Sequence, residues 1–149
     1  MTKEVLVTIS GLQFVSETET EPMEIITSGD YYQKNGKNYI IYDEVTEGFS
    51  GTTKNIIKWS DDFLDITKRG VTNVHMMFEK NRKNVTYYYT PYGSLLIGID
   101  AKRIRVAETE QNIDITVDYE LEVNYEHMAD CCIRMNIKSK DARDFRIQA

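Results

Sequence analysis

From Asn112 to Glu126 every odd-numbered residue is apolar or aromatic, and every even-numbered residue between them is polar. Ile113, Ile115, Val117, Tyr119, Leu121, Val123 and Tyr125 alternate with Asp114, Thr116, Asp118, Glu120, Glu122 and Asn124. A period of two puts the first set on one face of an extended strand and the second on the other. A helix would scatter the same seven side chains around its circumference. Burying them contributes roughly 10–20 kcal/mol, at about 2 kcal/mol each. Ordering the backbone and side chains costs a comparable amount. The strand therefore needs neighbours that share its core.

Those neighbours are legible along the whole chain. Val5, Val7 and Ile9 alternate, and the parity switches to Leu12 and Phe14 across Ser10-Gly11, as a β-bulge would make it do. Glu17 to Glu21 is an acidic, threonine-rich connection. Pro22 to Lys34 resumes as strand, and Asn35-Gly36 is the pair favoured in tight hairpin turns. Tyr39 to Val45 carries large residues on both faces, so its inner face stays open. Ile57 with Trp59, Phe63 to Lys68, and Val74, Met76 and Phe78 mark further strands. Val85 to Tyr89 is aromatic strand, interrupted by Pro91-Tyr92-Gly93. Leu95, Ile97 and Ile99 share one parity, while Ile104 and Val106 take the other, which predicts a bulge between Asp100 and Arg103. His127 to Asp130 reads as the last turn, before Cys131, Ile133, Met135 and Ile137.

No stretch shows helical periodicity over the length of a globular helix. About ten strands joined by short turns predict an all-β protein. Sequential connections favour a single antiparallel up-and-down β-barrel of about eight to ten strands, whose closure removes exposed edges. The barrel is expected over residues 1–140, with a polar C-terminal tail over 141–149.

A chain of 149 residues is one domain by size. Its net charge of −6 argues against a role on a nucleic-acid backbone. No signal peptide and no apolar run of transmembrane length is present, so a cytoplasmic protein acting away from the membrane is expected. The adjacent Cys131 and Cys132 point to opposite faces of a strand. They lack zinc-ligand spacing and read as reduced thiols.

Chemistry is sparse. His75 and His127 sit in no catalytic motif, and most carboxylates alternate with apolar residues as on a solvated face. Gly48 to Lys54 has the wrong spacing for a phosphate loop. The sequence points to no catalytic residue, no metal and no cofactor. Glu44 is the exception worth placing. If its strand buries Ile40 and Tyr42, Glu44 points inward and needs a partner such as Arg69 or Arg103. An outward Glu44 near a strand end is the more ordinary arrangement.

The stretch Thr86-Tyr87-Tyr88-Tyr89-Thr90-Pro91-Tyr92-Gly93 adds a family signal. With Gly29-Asp30-Tyr31-Tyr32, Tyr39-Ile40-Ile41-Tyr42-Asp43-Glu44, Arg69-Gly70 and Asp118-Tyr119-Glu120-Leu121, it resembles the YwiB-like family of small bacterial proteins over nearly the whole chain. The resemblance implies a calycin-like barrel, related in shape to lipocalins, and no assigned activity. Asn124-Tyr125 departs from it, where a glycine is expected near the turn.

Two roles follow. One is a barrel binding a small apolar or amphipathic ligand at one mouth, with Tyr42, Glu44, Trp59, Arg69, Tyr87, Tyr89, Arg103 and Tyr119 as candidate lining residues. The other is a filled barrel that serves as a protein-interaction or homodimerisation module. Bulky inward residues (Tyr119, Tyr125, Phe78, Met76 and Trp59) favour a mostly filled interior. An enzyme would need Glu44, Arg69 and Tyr119 gathered in one cavity.

Overall fold

The structure is a computed structural model that describes residues 3–11, 24–45 and 48–140. Ser10 and Gly11, where the parity change placed a bulge, are described, with Gly11 at φ 82°, but Leu12 and Phe14, the acidic connection at 17–21 and the tail at 141–149 lie outside the described residues. Ten strands follow one another: β1 (Glu4–Ser10), β2 (Glu24–Lys34), β3 (Lys37–Val45), β4 (Thr52–Ser60), β5 (Phe63–Arg69), β6 (Val74–Glu79), β7 (Arg82–Thr90), β8 (Gly93–Glu108), β9 (Asn112–Val123) and β10 (Glu126–Ser139). Each lies antiparallel to its neighbours in sequence, and β1 pairs with β10 to close the barrel. No helix occurs among the described residues.

Strand β9 behaves as its alternation requires. Ile113, Ile115, Val117, Tyr119 and Leu121 are at most 5% exposed, and the intervening residues face out. It ends two residues earlier than the alternation runs. Asn124 and Tyr125 take left-handed backbone angles (φ 51° and 70°) and make the turn into β10. Tyr125 is therefore outside, 77% exposed, and not in the core. His127 to Asp130 belongs to β10 rather than to a turn, with an irregular register between His127 and Ala129. A two-residue hairpin reverses side-chain parity, and the irregularity between His127 and Ala129 reverses it back, while polar Asn124 and aromatic Tyr125 happen to continue the alternation; the boundary was therefore invisible in the sequence.

The other turns follow their chemistry. Asn35 and Gly36 both have positive φ and join Lys34 to Lys37 as a two-residue hairpin. The register of β8 shifts between Ala101 and Arg103, where the change of parity placed a bulge. Gly70, at φ +149°, lies so close to the Thr52 carbonyl oxygen that a Cβ would sit 2.2 Å from it. Only glycine allows that turn after β5 to close.

The interior is layered. In register, Asn38, Trp59, Leu64 and Phe78 form one row across β3–β6, and Ile40, Ile57, Ile66 and Met76 form the next. Above these, Tyr42, Asn55, Lys68 and Val74 form a third. The even residues of β3 thus face inward, which resolves its open parity and puts Glu44 on the inner side. The end of the barrel nearest this third row, where β3, β5, β7 and β9 finish, is called the upper end below.

Candidate functional site

The first two rows hold mostly apolar side chains, but the third is polar. Lys68 is 6% exposed. Its Nζ donates to Glu44 Oε1 at 3.0 Å and to Asn55 Oδ1 at 2.7 Å. The Asn55 amide in turn donates to Glu44 Oε1 at 3.2 Å and to the Thr53 carbonyl at 3.4 Å. Asn55 and Thr53 are fully buried, whereas the Glu44 carboxylate retains an outlet, with its side chain 27% exposed. Buried polar groups are tolerated when their bonds are met, and a buried cation needs its counter-charge.

Two tyrosines complete the cluster. The Tyr42 ring is 3% exposed, and its hydroxyl has no hydrogen-bond partner among the described residues. Burial raises its pKa above the ordinary tyrosine value, and the Glu44 charge adds to the rise. Burial also raises Tyr88; a hydrogen bond with Thr72 opposes this and the Glu44 charge reinforces it. Both phenols therefore stay protonated at neutral pH. Near this end Phe49 meets Tyr92 edge to face, with ring centroids 5.8 Å apart.

The candidate lining residues do not all meet here. Tyr42 and Glu44 belong to the upper cluster. Trp59 lies two rows below, 6.3 Å from the Tyr31 ring, with Tyr31 donating to Asn38 Oδ1. Its indole N–H is buried without a partner among the described residues. Tyr119 is inside on the β9 wall, edge to face with Phe78 at 5.1 Å, its hydroxyl 3.4 Å from the Gly11 carbonyl. Tyr87 and Tyr89 are on the outer face of β7, stacked on each other and about half exposed. Arg69 and Arg103 are exposed. The cation beside Glu44 is Lys68, not either arginine, because Arg69 has the outward parity of β5. For the same reason the grouping of Glu44, Arg69 and Tyr119 does not form.

Lys68 and Asn55 were missed, although each left a mark. Lys68 shares parity with Leu64 and Ile66, and Asn55 with Ile57 and Trp59. A polar residue on an apolar parity is the signal that finds both.

Outside the barrel, Glu120, His127 and Asp130 bring ligand-type atoms within 4.8 Å of one another. These groups already have protein partners: Lys102 pairs with Glu120 at 3.1 Å, and His127 with Asp130 at 3.1 Å. Beside them lies an open depression of about 360 Å³ that Asp118 and Cys132 also line. Cys131 and Cys132 are both free thiols, on the inner and outer parity of β10 respectively. His75 is outside, bonded to Asp65 at 2.9 Å.

The model of the family described as Domain of unknown function (DUF1934) matches residues 7–135. The chain belongs to this family. Among its relatives, the "Uncharacterized beta-barrel protein YwiB" of Bacillus subtilis (strain 168) is 27% identical over 106 residues, which span 71% of this chain and 73% of that protein. The crystal structure of the YwiB protein from Bacillus subtilis superposes with a TM-score of 0.77, covering 92% of each chain at 20% identity. Within the DUF1934 fold of this chain, no described helix is long and apolar enough to cross a membrane.

Proposed function

We propose that the upper end of this DUF1934 barrel binds a small, partly apolar ligand whose polar group engages the Tyr42 hydroxyl and the Glu44–Lys68 pair. The observation that carries this reading is the Tyr42 hydroxyl, a buried donor with no partner among the described residues, beside a bonded ion pair. The cost of such a donor is recovered when a ligand atom accepts its hydrogen bond. The large inward side chains below leave room only for a compact ligand, and Phe49 and Tyr92 offer it apolar contact. The barrel is taken to be calycin-like and bacterial. A cytoplasmic location suits its two free thiols.

Native mass spectrometry of protein purified from its own host, with thermal shifts against metabolite and fatty-acid panels, tests the proposal. A bound species or a shift that Tyr42→Phe and Glu44→Gln each weaken is expected. No co-purifying species and no shift across the panels would refute it.

A second reading has its own observation. Val85, Tyr87, Tyr89 and Tyr92 are each 50% exposed or more along β7 and its turn, a run of apolar surface suited to a protein partner or a second copy. Light scattering at rising concentration should then show dimers that Tyr87→Ser weakens. A monomer at every concentration, with no partner captured, removes this reading.

A further inference from the structure

We propose that the line between β6 and β7 is a lateral gate through which small molecules reach the barrel interior. Every other pair of neighbouring strands is held by at least five residue pairs in register. Strands β6 and β7 share one, Glu79 with Arg82, at their hairpin. At the upper end a single bridge, Asn73 with Tyr89, ties β7 to the residue just before β6. Between these two ties the backbone ladder lapses. A side chain spans the interval instead: the Asn84 amide donates to the Met77 carbonyl at 2.9 Å and reaches Glu79 Oε1 at 3.4 Å.

The inner lining changes at the same place. Thr86, Asn84 and Tyr88 pair with Ile97, Ile99 and Leu95, so they take the inward parity of β7. They are polar where the other strands present mostly isoleucine, valine or methionine, and Asn84 and Thr86 are only half-buried. Across the gap Val74, Met76 and Phe78 are fully inside. Val74 stands in register with Lys68, which holds Glu44, so an opening here leads to that cluster. A segment closed by one side-chain amide opens at far lower free energy than one closed by a ladder. The gate's purpose rests on the ligand-binding role proposed above; its opening does not.

The test needs no ligand. Trp59 is the only tryptophan, is fully buried, and stands in register with Leu64 and Phe78, so it lies two strands from the gap. Acrylamide quenching of its fluorescence reads access to the interior. Asn73 and Tyr89 exchange both backbone hydrogen bonds at 2.9 Å. Their Cα atoms therefore stand about 5.5 Å apart, within disulfide range. The double variant Asn73→Cys, Tyr89→Cys, in a Cys131→Ser, Cys132→Ser background, is compared with itself before and after oxidation. Oxidation should lower the bimolecular quenching constant at least about threefold, reversibly, and Asn84→Ala alone should raise it by a similar factor. A constant that neither change moves overturns the gate. With a ligand from the thermal-shift panels, oxidation should slow binding and release together and leave Kd unchanged. A silent panel beside an intact quenching effect would count against the binding role alone.

Discussion

Replacing Tyr42 by phenylalanine should make this protein more stable and a worse binder, two effects that a simple packing role could not produce together. The ring is 3% exposed, and the hydroxyl lacks a hydrogen-bond partner among the described residues. A buried hydroxyl left unpaired costs about 1–3 kcal/mol. Phenylalanine keeps the ring contacts and removes that cost, so a gain of about 1 kcal/mol is expected at pH 7. In a chain of this size that raises Tm by about 2–4 °C. The effect should grow with alkalinity. Burial, then the Glu44 charge, raises the Tyr42 pKa in the folded state above the value near 10 of the unfolded chain. A group shifted this way contributes its full share of stability below pH 10 and loses it as pH climbs toward the folded value. Tyr88 and Tyr119 are shifted in the same direction and remain in both proteins, so they cancel in the difference. Calorimetry of both proteins from pH 7 to 11 should therefore show a positive Tm difference that widens above pH 10. A variant that loses more than about 1 kcal/mol at pH 7 would show that the hydroxyl is bonded in the fold, and the reasoning would fail. A difference that stays constant across the alkaline range would remove the electrostatic half of it.

Lys68→Met should cost about 2–4 kcal/mol, because it strands a carboxylate whose bonds Lys68 and Asn55 provide. Adding Glu44→Gln should return part of that loss. A double-mutant cycle giving no coupling between the two would show that the pair is not one unit. Leu121→Asp places an unpaired charge at a position 5% exposed and should cost about 4 kcal/mol or more. Glu120→Lys, one residue away on the outer face, should stay within about 1 kcal/mol, so equal melting temperatures would contradict the assigned faces. Tyr125→Gly should gain about 0.5–1 kcal/mol in urea denaturation, since Tyr125 is exposed and holds φ 70°; a loss would show that its side chain does more than fill the turn.

The fold was legible because an antiparallel barrel writes its inside and outside into alternate residues. The parity of β9 and the change of parity across β8 yielded a wall and a bulge without further information. Turn boundaries were legible where the turn residues broke the alternation. Asn35-Gly36 announced itself, while Asn124-Tyr125 did the same job with two side chains and passed as strand. The site was half legible. Glu44 drew notice as a charge near an apolar run. Its partner was sought in Arg69 and Arg103, and Lys68, which holds it, was passed over. One residue of register separates Lys68 inside from Arg69 outside, and the sequence fixes parity within a strand but not which neighbours it meets. The tyrosines of β7 misled for a different reason. Aromatic side chains suit either face of a strand, so Tyr87 and Tyr89 looked like lining while they stack on the outer wall.

The polar row is hard to account for as scaffold. The rows below it, Ile40-Ile57-Ile66-Met76 and Asn38-Trp59-Leu64-Phe78, show that this barrel can be filled with mostly apolar side chains across the same four strands. Isoleucine or leucine at 42, 55 and 68 would continue that packing, and exchanging a buried ion pair for apolar residues is commonly neutral or stabilising. The chain instead keeps a lysine, an asparagine and a phenol without a partner among the described residues there, gathered at the end of the barrel where Glu44 retains contact with water. Local rules broken together at one end of a core mark the places where a protein gives up stability for something other than folding.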